Sequence, residues 1–269
     1  MISIGPYSIR IVIIMIAAIV GWLLSRFIAK YFSNIQPKTA SSLYFDAFLV
    51  GIFIARMTFV LVWWNDYIAT PWTIVAIGDG GFYAASGIIA AIAWIWWKTR
   101  QEKRLRKPVY AGMLAGLIAW GGASGGMAMI QPSSPSLPEL ELSTIDSKPH
   151  MLTSYVGQPV VVNLWATWCP PCRREMPVFM KAQSDYQDIA VVMINQGESM
   201  QEITSFLASE GLELEHVLLD QTSKTMREFG ARGLPTTLFF DAEGRMVHSH
   251  MGEMTMPSLK NTIKKFFME

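Results

Sequence analysis

Residues 160–172 read VVVNLWATWCPPC. The first six are apolar apart from one asparagine and rich in valine, which is typical of a strand buried on both faces. The two cysteines, Cys169 and Cys172, then come at the start of a predicted helix, the second one turn inside it. Free N–H groups and the positive end of the helix dipole favour a thiolate at Cys169. This residue is therefore predicted to attack disulfides, and Cys172 to resolve the mixed disulfide.

The Cys-x-x-Cys pair accounts for both cysteines of the 269-residue chain. Such a pair can form half of a metal site, but two cysteines do not supply four ligands, and the flanking Trp168 and the Pro-Pro interior favour redox chemistry. A second candidate is the run from His248 to Met256, because imidazole and thioether ligands suit Cu(I). Two histidines at period two equally fit one face of a hairpin strand, and methionine is a common core residue. We expect no metal and no cofactor.

The sequence around the cysteine pair alternates between strand and helix patterns. An apolar strand at 189–194 precedes helical patterns at 200–210 and 224–229, and residues 233–240 read GLPTTLFF. Alternating elements of this kind predict an α/β domain. A proline that opens a strand-like run is expected at the first residue of the strand or in a cis turn, which makes Pro235 a structural marker.

Two motifs carry a resemblance to a known family. Residues 168–172, Trp-Cys-Pro-Pro-Cys, together with the later Gly-Leu-Pro-Thr-Thr at 233–237, resemble the TlpA/ResA/CcmG group of periplasmic thioredoxin-like reductases. The resemblance extends over nearly all of residues 139–269, which we call the redox domain. It implies a thioredoxin fold and the reduction of protein disulfides.

The resemblance also implies roles for single residues. Cys169 is the nucleophile, Cys172 the resolving thiol, and Pro235 the cis-proline that shapes the substrate groove. Glu175 is the acid that this group often keeps one turn after the second cysteine, and it is the candidate to tune Cys172. The alternative is a solvated acid that complements the helix dipole. Asn163 occupies the position where cytoplasmic thioredoxins have a buried aspartate, so that acid is not the proton acceptor here.

Residues 1–130, which we call the membrane half, are too apolar for a soluble domain. The whole chain is 51% hydrophobic and only 16% charged. Four apolar segments predict four transmembrane helices, at residues 2–25, 43–64, 82–97 and 109–130. The fold class is therefore an α-helical membrane domain followed by an α/β thioredoxin-fold domain.

Loop charges predict the orientation of these helices. Basic residues are concentrated between the first and second segments and between the third and fourth; they are Arg26, Lys30, Lys38, Lys98, Arg100, Lys103, Arg104, Arg106 and Lys107. The positive-inside rule places both loops in the cytoplasm, and the N-terminus, the loop at 65–81 and the redox domain outside. The alternative is that residues 98–107 form a nucleic-acid-binding patch. It is not needed to explain these basic residues, because the topology already accounts for them, and the net charge of +1 gives no sign of a nucleic-acid partner. The prediction is a multi-pass protein of the bacterial inner membrane with a periplasmic redox domain.

The membrane half resembles the first part of prolipoprotein diacylglyceryl transferases over residues 1–125. The motifs are SIGPYSIR at 3–10, GIFIAR at 51–56 and GGFY at 80–83. The chain reads Ala85-Ser86-Gly87 where that family has a catalytic histidine followed by two glycines, and it has no arginine in 117–126, where the family carries its Gly-Arg-x-Gly-Asn signature. Diacylglyceryl transfer needs a base and a cationic clamp. Since both are missing, this half is predicted to be an anchor.

Arg56 is the residue that keeps a lipid function open, because a charge inside a membrane helix is a functional candidate by default. Its alternative role is structural. In that case it pairs with Asp46, Asp66 or Asp79, or its side chain extends to the outer surface.

A Pro/Ser-rich spacer at 131–138 separates the two halves. The leading hypothesis is a membrane-anchored reductase of extracytoplasmic protein disulfides, such as those of apocytochrome c, a copper chaperone or misoxidised proteins. Because the membrane helices contain no cysteine, a separate dithiol donor of the DsbD or CcdA type is expected to supply electrons. The alternatives are a disulfide-forming oxidase with a quinone-linked partner, and lipid transfer or binding by residues 1–125, with the redox domain preparing lipoprotein cysteines.

Overall fold

The computed structural model describes residues 3–4, 7–32, 36–130 and 135–268. The membrane half consists of helices, preceded by a two-residue antiparallel pairing of β1 (Ser3–Ile4) with β2 (Tyr7–Ser8). The helices are α1 (Ile9–Phe32), α2 (Pro37–Val62), α3 (Trp64–Ala69), α4 (Ala84–Lys98) and α5 (Arg106–Ile130). Between α3 and α4 the chain forms two 3-10 turns, Pro71–Val75 and Ile77–Asp79.

Glycines allow the long helices to pack closely in two pairs, α1 with α5 and α2 with α4. A Cβ atom added to Gly112 would lie 2.5 Å from the carbonyl oxygen of Gly21, and one added to Gly87 would lie 2.6 Å from that of Gly51. In lipid, an apolar side chain gains little free energy by moving from the acyl chains into a helix interface. Helices therefore associate there through close backbone packing of this kind. The outward faces of α1, α2 and α4 expose large apolar side chains, such as Leu23 and Phe53.

The predicted bounds of the first span and its loop need correction. The span predicted at 2–25 is wrong at both ends: Ser3–Ile4 and Tyr7–Ser8 are paired strands, and the helix runs from Ile9 to Phe32. Arg26 and Lys30 therefore lie on its last two turns and not in a loop. Lys38 likewise lies in the first turn of α2. Basic residues can continue a helix at the membrane surface because their long side chains reach the polar headgroups.

Two helices of the described chain, at Val12–Phe32 and Pro37–Val62, are long and apolar enough to cross a membrane. Helix α4 is apolar but only 15 residues long. The structure therefore confirms a helical N-terminal half, while the four crossings stay a prediction.

The redox domain is an α/β unit built on one seven-stranded sheet. Its elements are β3 (Glu141–Thr144), β4 (Pro149–Met151), β5 (Val160–Trp165), α6 (Pro170–Asp185), β6 (Ala190–Gln196), α7 (Met200–Glu210), β7 (Val217–Asp220), α8 (Lys224–Glu228), β8 (Thr236–Phe240), β9 (Met246–Met251) and α9 (Met256–Phe267). The strand order is β4-β3-β7-β6-β5-β8-β9. Strands β5, β6 and β7 are parallel, and the other pairings are antiparallel.

Strand β5 is central and buried throughout, as its sequence predicts. Val161 and Trp165 belong to one core cluster, with α6, α7 and α9, while Val160, Val162 and Leu164 belong to the cluster on the other face. Successive side chains of a strand point to opposite faces, so a sheet that is covered on both faces needs apolar residues at every position.

The end of the predicted spacer packs against the redox domain. Residues 131–134 lie outside the described residues. Ser136 forms a bridge with Arg245, and the Leu137 N–H donates to the Gly244 carbonyl at 2.9 Å. Leu137 is 5% exposed because the apolar core beneath β8 accepts it.

The two halves meet at the N-terminal end of α9. Thr255 Oγ1 donates to Asp79 Oδ2 at 2.9 Å, and Ser258 Oγ donates to the Asp79 carbonyl at 2.5 Å. Lys260 Nζ lies 2.6 Å from Asp66 Oδ1. The loop between α2 and α4 and the redox domain therefore lie on the same side of the helix bundle.

Candidate active site

The cysteine pair lies at the start of α6, where the sequence predicts it. Cys169 is the N-cap residue, and Pro170 and Pro171 fill the first two helical positions, where a proline loses no intrahelical hydrogen bond. Cys169 and Cys172 are joined by a disulfide, with their Cα atoms 5.3 Å apart. The Cys172 N–H donates to Cys169 Sγ at 3.3 Å. Negative charge at this sulfur would therefore be stabilised by the helix N-terminus.

The pair lies between a buried side and an exposed side. Cys172 is fully buried and Cys169 is 3% exposed, whereas the neighbouring Trp168 is 68% exposed. A large exposed aromatic side chain beside a nearly buried sulfur offers a partner protein an apolar contact close to the reacting atom.

Pro235 lies at the same edge of the sheet as the cysteines. The Leu234–Pro235 peptide bond is cis, as the resemblance implies. The antiparallel register pairs Leu164 of β5 with Thr236 of β8, so Pro235 is next to the end of β5 from which the chain continues to Cys169. Its carbonyl accepts the N–H of Gly252 at 2.9 Å.

Glu175 is buried in the core beneath the cysteine pair and is 1% exposed. Its Oε1 accepts from Asn163 Nδ2 at 2.7 Å, and its Oε2 accepts from the Met254 backbone N–H at 2.7 Å. Asn163 Nδ2 also donates to Thr237 Oγ1 at 3.2 Å. The alternative interpretation of Glu175 as a solvated first-turn acid is therefore wrong, since strands β5 and β8 and the segment after β9 enclose the carboxyl group.

Burial changes the proton affinity of this carboxyl group. It raises the pKa of Glu175 to about 8, while the Met254 N–H and the Asn163 amide oppose the rise. The charges nearby are Glu253 and Arg174, which form an ion pair with each other. A carboxyl group that titrates near neutral pH can take up and release a proton under ordinary conditions.

The predicted copper candidate runs along β9 and into α9. His248 stacks on the Phe266 ring at a centroid distance of 5.1 Å, and His250 is paired with Thr237 of β8. Among the described residues, no group of three or more His, Cys, Asp or Glu side chains is arranged to hold a metal ion.

Comparisons with known proteins match the two halves separately. Residues 135–249 match the AhpC/TSA family, and residues 1–129 match the prolipoprotein diacylglyceryl transferase family. The thiol-disulfide oxidoreductase ResA of Geobacillus thermodenitrificans is 31% identical over 129 residues, which cover 47% of this chain and 74% of that protein.

The chain belongs to the ResA-type thiol-disulfide oxidoreductases. The sporulation thiol-disulfide oxidoreductase A of Bacillus subtilis is 27% identical over 154 residues, covering 55% of this chain and 90% of that protein. A thiol:disulfide interchange protein of Chlorobium tepidum aligns with a TM-score of 0.45 and 25% identity, covering 50% of this chain and 97% of that one. The predicted fusion of a ResA-type domain to a transferase-like half is confirmed. With the apolar helices, the transferase match indicates that the N-terminal half is membrane-associated.

Arg56 of this ResA-type protein is fully engaged within the membrane half. It is 7% exposed and pairs with Asp79, one of the three predicted partners, through Nη1 and Oδ1 at 2.8 Å. Its other hydrogen bonds go to backbone carbonyls of the loop between α2 and α4, namely those of Thr73, Ile74, Ala76 and Gly81. All three nitrogens of the guanidinium group have acceptors. The arginine is therefore occupied as a clamp on that loop, which argues against a headgroup-binding role.

Glu198 is a residue of the ResA-type site that was not predicted from the sequence. Its carboxylate accepts from the Thr167 N–H at 2.8 Å, from the Thr167 hydroxyl group, and from Asn195 Nδ2 at 2.6 Å. It thereby fixes the segment between β5 and Cys169. The signal in the sequence was its place two residues after the end of β6, because the carboxyl ends of adjacent parallel strands meet at one edge of a sheet.

Proposed function

We propose that this ResA-type chain is a membrane-anchored reductase of protein disulfides, with Cys169 as nucleophile and Cys172 as resolving thiol. One observation carries the proposal. The cysteine pair at the start of α6 is followed one turn later by Glu175, a buried carboxyl group whose pKa is raised to about 8. A carboxylate of this basicity can accept the Cys172 proton, and this is the proton that must leave before the enzyme can release a reduced product.

The reaction begins with the reduced enzyme. The Cys169 thiolate attacks one sulfur of the partner disulfide, so that a bond forms to Cys169 while the partner disulfide breaks and one partner thiolate leaves. Glu175 then takes the proton of Cys172, and the resulting thiolate attacks Cys169. The second partner thiolate leaves as the Cys169–Cys172 disulfide forms. Two electrons pass from enzyme to partner, and the partner thiolates take up the two protons of the dithiol, one of them by way of Glu175 and solvent.

Recharging requires a second protein. The chain holds two cysteines, both in the redox domain, so its own membrane helices carry no thiol to pass electrons. A membrane dithiol carrier of the DsbD or CcdA type would reduce the Cys169–Cys172 disulfide and become oxidised itself. The exposed Trp168 supports both encounters because it gives partners access beside the pair.

The membrane half acts in this proposal as an anchor that holds the redox domain at the periplasmic face of the bacterial inner membrane, with four crossings. Two features support the orientation. The loop between α2 and α4 touches the redox domain, so both lie on one side. The basic residues from Lys98 to Lys107 run from the end of α4 to the start of α5, at the ends of these helices opposite to that loop, where the positive-inside rule places the cytoplasm.

The direction of electron flow is tested by thiol trapping in cells, with and without the membrane dithiol carrier. The reductase proposal expects a mostly reduced pair in the parent strain and an oxidised pair when the carrier is deleted. A pair that is oxidised in both strains would instead assign the chain to disulfide formation.

A further inference from the structure

Four consecutive residues after β9 join the redox site to the membrane half. We call residues 252–255 the connecting strip. Each of them is hydrogen-bonded to a residue outside the strip. Gly252 N–H donates to the Pro235 carbonyl at 2.9 Å, Glu253 accepts from Arg174 Nε at 2.9 Å, Met254 N–H donates to Glu175 at 2.7 Å, and Thr255 Oγ1 donates to Asp79 at 2.9 Å.

The membrane end of the strip is held in a buried polar cluster. Asp79 is 2% exposed, and its carboxylate accepts from Arg56 Nη1 at 2.8 Å, the Gly81 N–H at 2.9 Å and Tyr67 OH at 3.4 Å besides Thr255. Because Arg56 is itself fixed by loop carbonyls, the position of Asp79 is set by the membrane half and not by the redox domain.

Thr255, the last residue of the strip, is held in place by its hydrogen bond to Asp79. It is the N-cap residue of α9, and its Oγ1 accepts the Ser258 N–H at 3.4 Å while donating to Asp79. One hydroxyl group therefore satisfies the helix end and binds the membrane half at the same time. Met254 is the next residue toward the active site, and its N–H reaches Glu175, so a displaced Thr255 would displace that donor.

We infer that Asp79 is a positioning residue for the redox site, through which the docked membrane half holds the Met254 N–H against the Glu175 carboxylate. This rests on the proposed role of Glu175 as acceptor of the Cys172 proton. It also gives the membrane half a second task beyond anchoring, since the redox domain has its full proton chemistry only when it is docked.

The chemical consequence has a definite sign. Glu175 has two hydrogen bonds that favour its ionised form, from Asn163 and from Met254, and these oppose the cost of burial. If the Met254 donor moves away while the group stays buried, the pKa of Glu175 rises further. The neighbouring charges, Arg174 and Glu253, form an ion pair with each other, so their net effect is small by comparison. The resolving step should then require a higher pH.

The test uses the full chain in lipid nanodiscs and single-turnover oxidation of the reduced protein by a disulfide-bonded model peptide, followed from pH 5 to pH 10. The variants are Asp79→Asn, which keeps the α9 cap, and Thr255→Val, which removes the hydroxyl group. Both should raise the pH midpoint of the resolving step by about one unit. Thr255→Ser keeps the hydroxyl group and should retain the original midpoint. Lys260→Gln breaks a contact between the halves that does not involve Asp79, the ion pair with Asp66, and should also leave the midpoint unchanged.

A second measurement reads positioning without chemistry. Hydrogen exchange of the connecting strip should become at least tenfold faster in Asp79→Asn and in Thr255→Val, and should be unchanged in Lys260→Gln. Unchanged exchange in both test variants would overturn the inference, as would faster exchange without any shift of the midpoint.

Glu175→Gln separates this inference from the proposed function. If the rate of the resolving step in that variant no longer shows a pH midpoint, the proton role of Glu175 stands. The Asp79 variants then decide the inference on their own. If Glu175→Gln keeps the midpoint, the proposed role of Glu175 is wrong and the inference falls with it.

Discussion

The side-chain amide of Asn163 lies 2.7 Å from Oε1 of Glu175, and both residues are almost completely buried. The amide presents its nitrogen to the carboxylate, and its own Oδ1 has no hydrogen-bond partner among the described residues. Rotation of the amide by half a turn would offer that oxygen to the proton of a neutral Glu175. The pair can therefore satisfy either protonation state, which is what a group that cycles a proton requires.

Glu175→Gln should stabilise the protein above neutral pH. Below the ordinary carboxyl pKa of about 4.3, the folded and unfolded chains both carry a protonated Glu175, and burial has no ionisation cost. Between about pH 4.3 and pH 8 the unfolded chain loses this proton and the folded chain keeps it, so stability falls as pH rises. Glu175→Gln has no ionisable group at this position, so its stability does not fall for this reason. At pH 8 its free energy of unfolding should exceed the wild-type value by on the order of 5 kcal/mol.

Urea unfolding of the two proteins from pH 4 to pH 9 measures this difference. The curves should meet near pH 4 and separate as pH rises. A constant difference over the whole range would mean that folding does not raise the pKa of Glu175.

Asn163→Asp should place a second carboxyl group against Glu175. Two carboxyl groups at this distance cannot both ionise, so one proton is shared and the upper titration step moves to higher pH. The variant should lose more stability at pH 8 than at pH 5. Combining it with Glu175→Gln restores one carboxyl group and one amide with their positions exchanged, and the double variant should recover most of the loss, as a double-mutant cycle of urea unfolding would show.

The core of the redox domain could be predicted because its signals are local. The valine run of β5, the cysteines at the start of α6 and the strand opened by Pro235 each show their structure in a few consecutive residues. The end of α1 is different. Arg26 and Lys30 continue the helix. The sequence does not show this, because a basic residue at a membrane surface is compatible with both a helix and a loop, and only the packing of α1 on α5 decides between them.

The environment of the site could not be predicted because it is built from distant segments. Glu175 is at a helical position that is solvated in an isolated helix, and the group that encloses it, the Met254 N–H, is 79 residues later in the chain. The contact of Asp79 with Thr255 spans 176 residues. A single sequence gives three candidate carboxylates for Arg56, and only the folded loop selects Asp79.

Cys172→Ala should trap a disulfide-linked partner on Cys169. Cys169 keeps its place at the N-cap of α6 and still attacks, but the thiol that would release the partner is gone. Non-reducing electrophoresis of membranes should show a reducible adduct with this variant and none with Cys169→Ala. Equal trapping by the two variants would remove the assignment of Cys169 as the attacking sulfur.

Glu198→Ala should loosen the segment that leads into the active site. The substitution leaves the partly buried Thr167 N–H and the buried Asn195 amide without their acceptor, which costs about 2 kcal/mol of unfolding free energy. Because Thr167 is two residues before Cys169, the rate of peptide reduction should also fall. Glu202→Ala is the matched control, since its carboxylate accepts hydrogen bonds at the N-terminus of α7 and is exposed. A loss of stability with full activity would mean that Glu198 supports the fold but not the site.

Arg56→Lys should destabilise the membrane half although it keeps the charge. Lysine has three donors on one nitrogen, whereas Arg56 uses three nitrogens to bind Asp79 and four backbone carbonyls at once. Several buried acceptors then lose their partner, and we expect a loss of about 3 kcal/mol, seen as a lower unfolding temperature of the full chain in detergent.

The same variant separates a clamp from a lipid site. If Arg56 binds a lipid phosphate by charge, Arg56→Lys should keep part of that binding, because an ammonium group also binds phosphate. If Arg56 is a clamp that depends on the forked geometry of the guanidinium group, lysine should not replace it. Lys260→Gln, which breaks a more exposed ion pair with Asp66, should cost less than about 1 kcal/mol and sets the scale for an ordinary contact between the halves. Full stability of Arg56→Lys, together with binding of anionic lipid that Arg56→Gln abolishes, would return Arg56 to the lipid hypothesis.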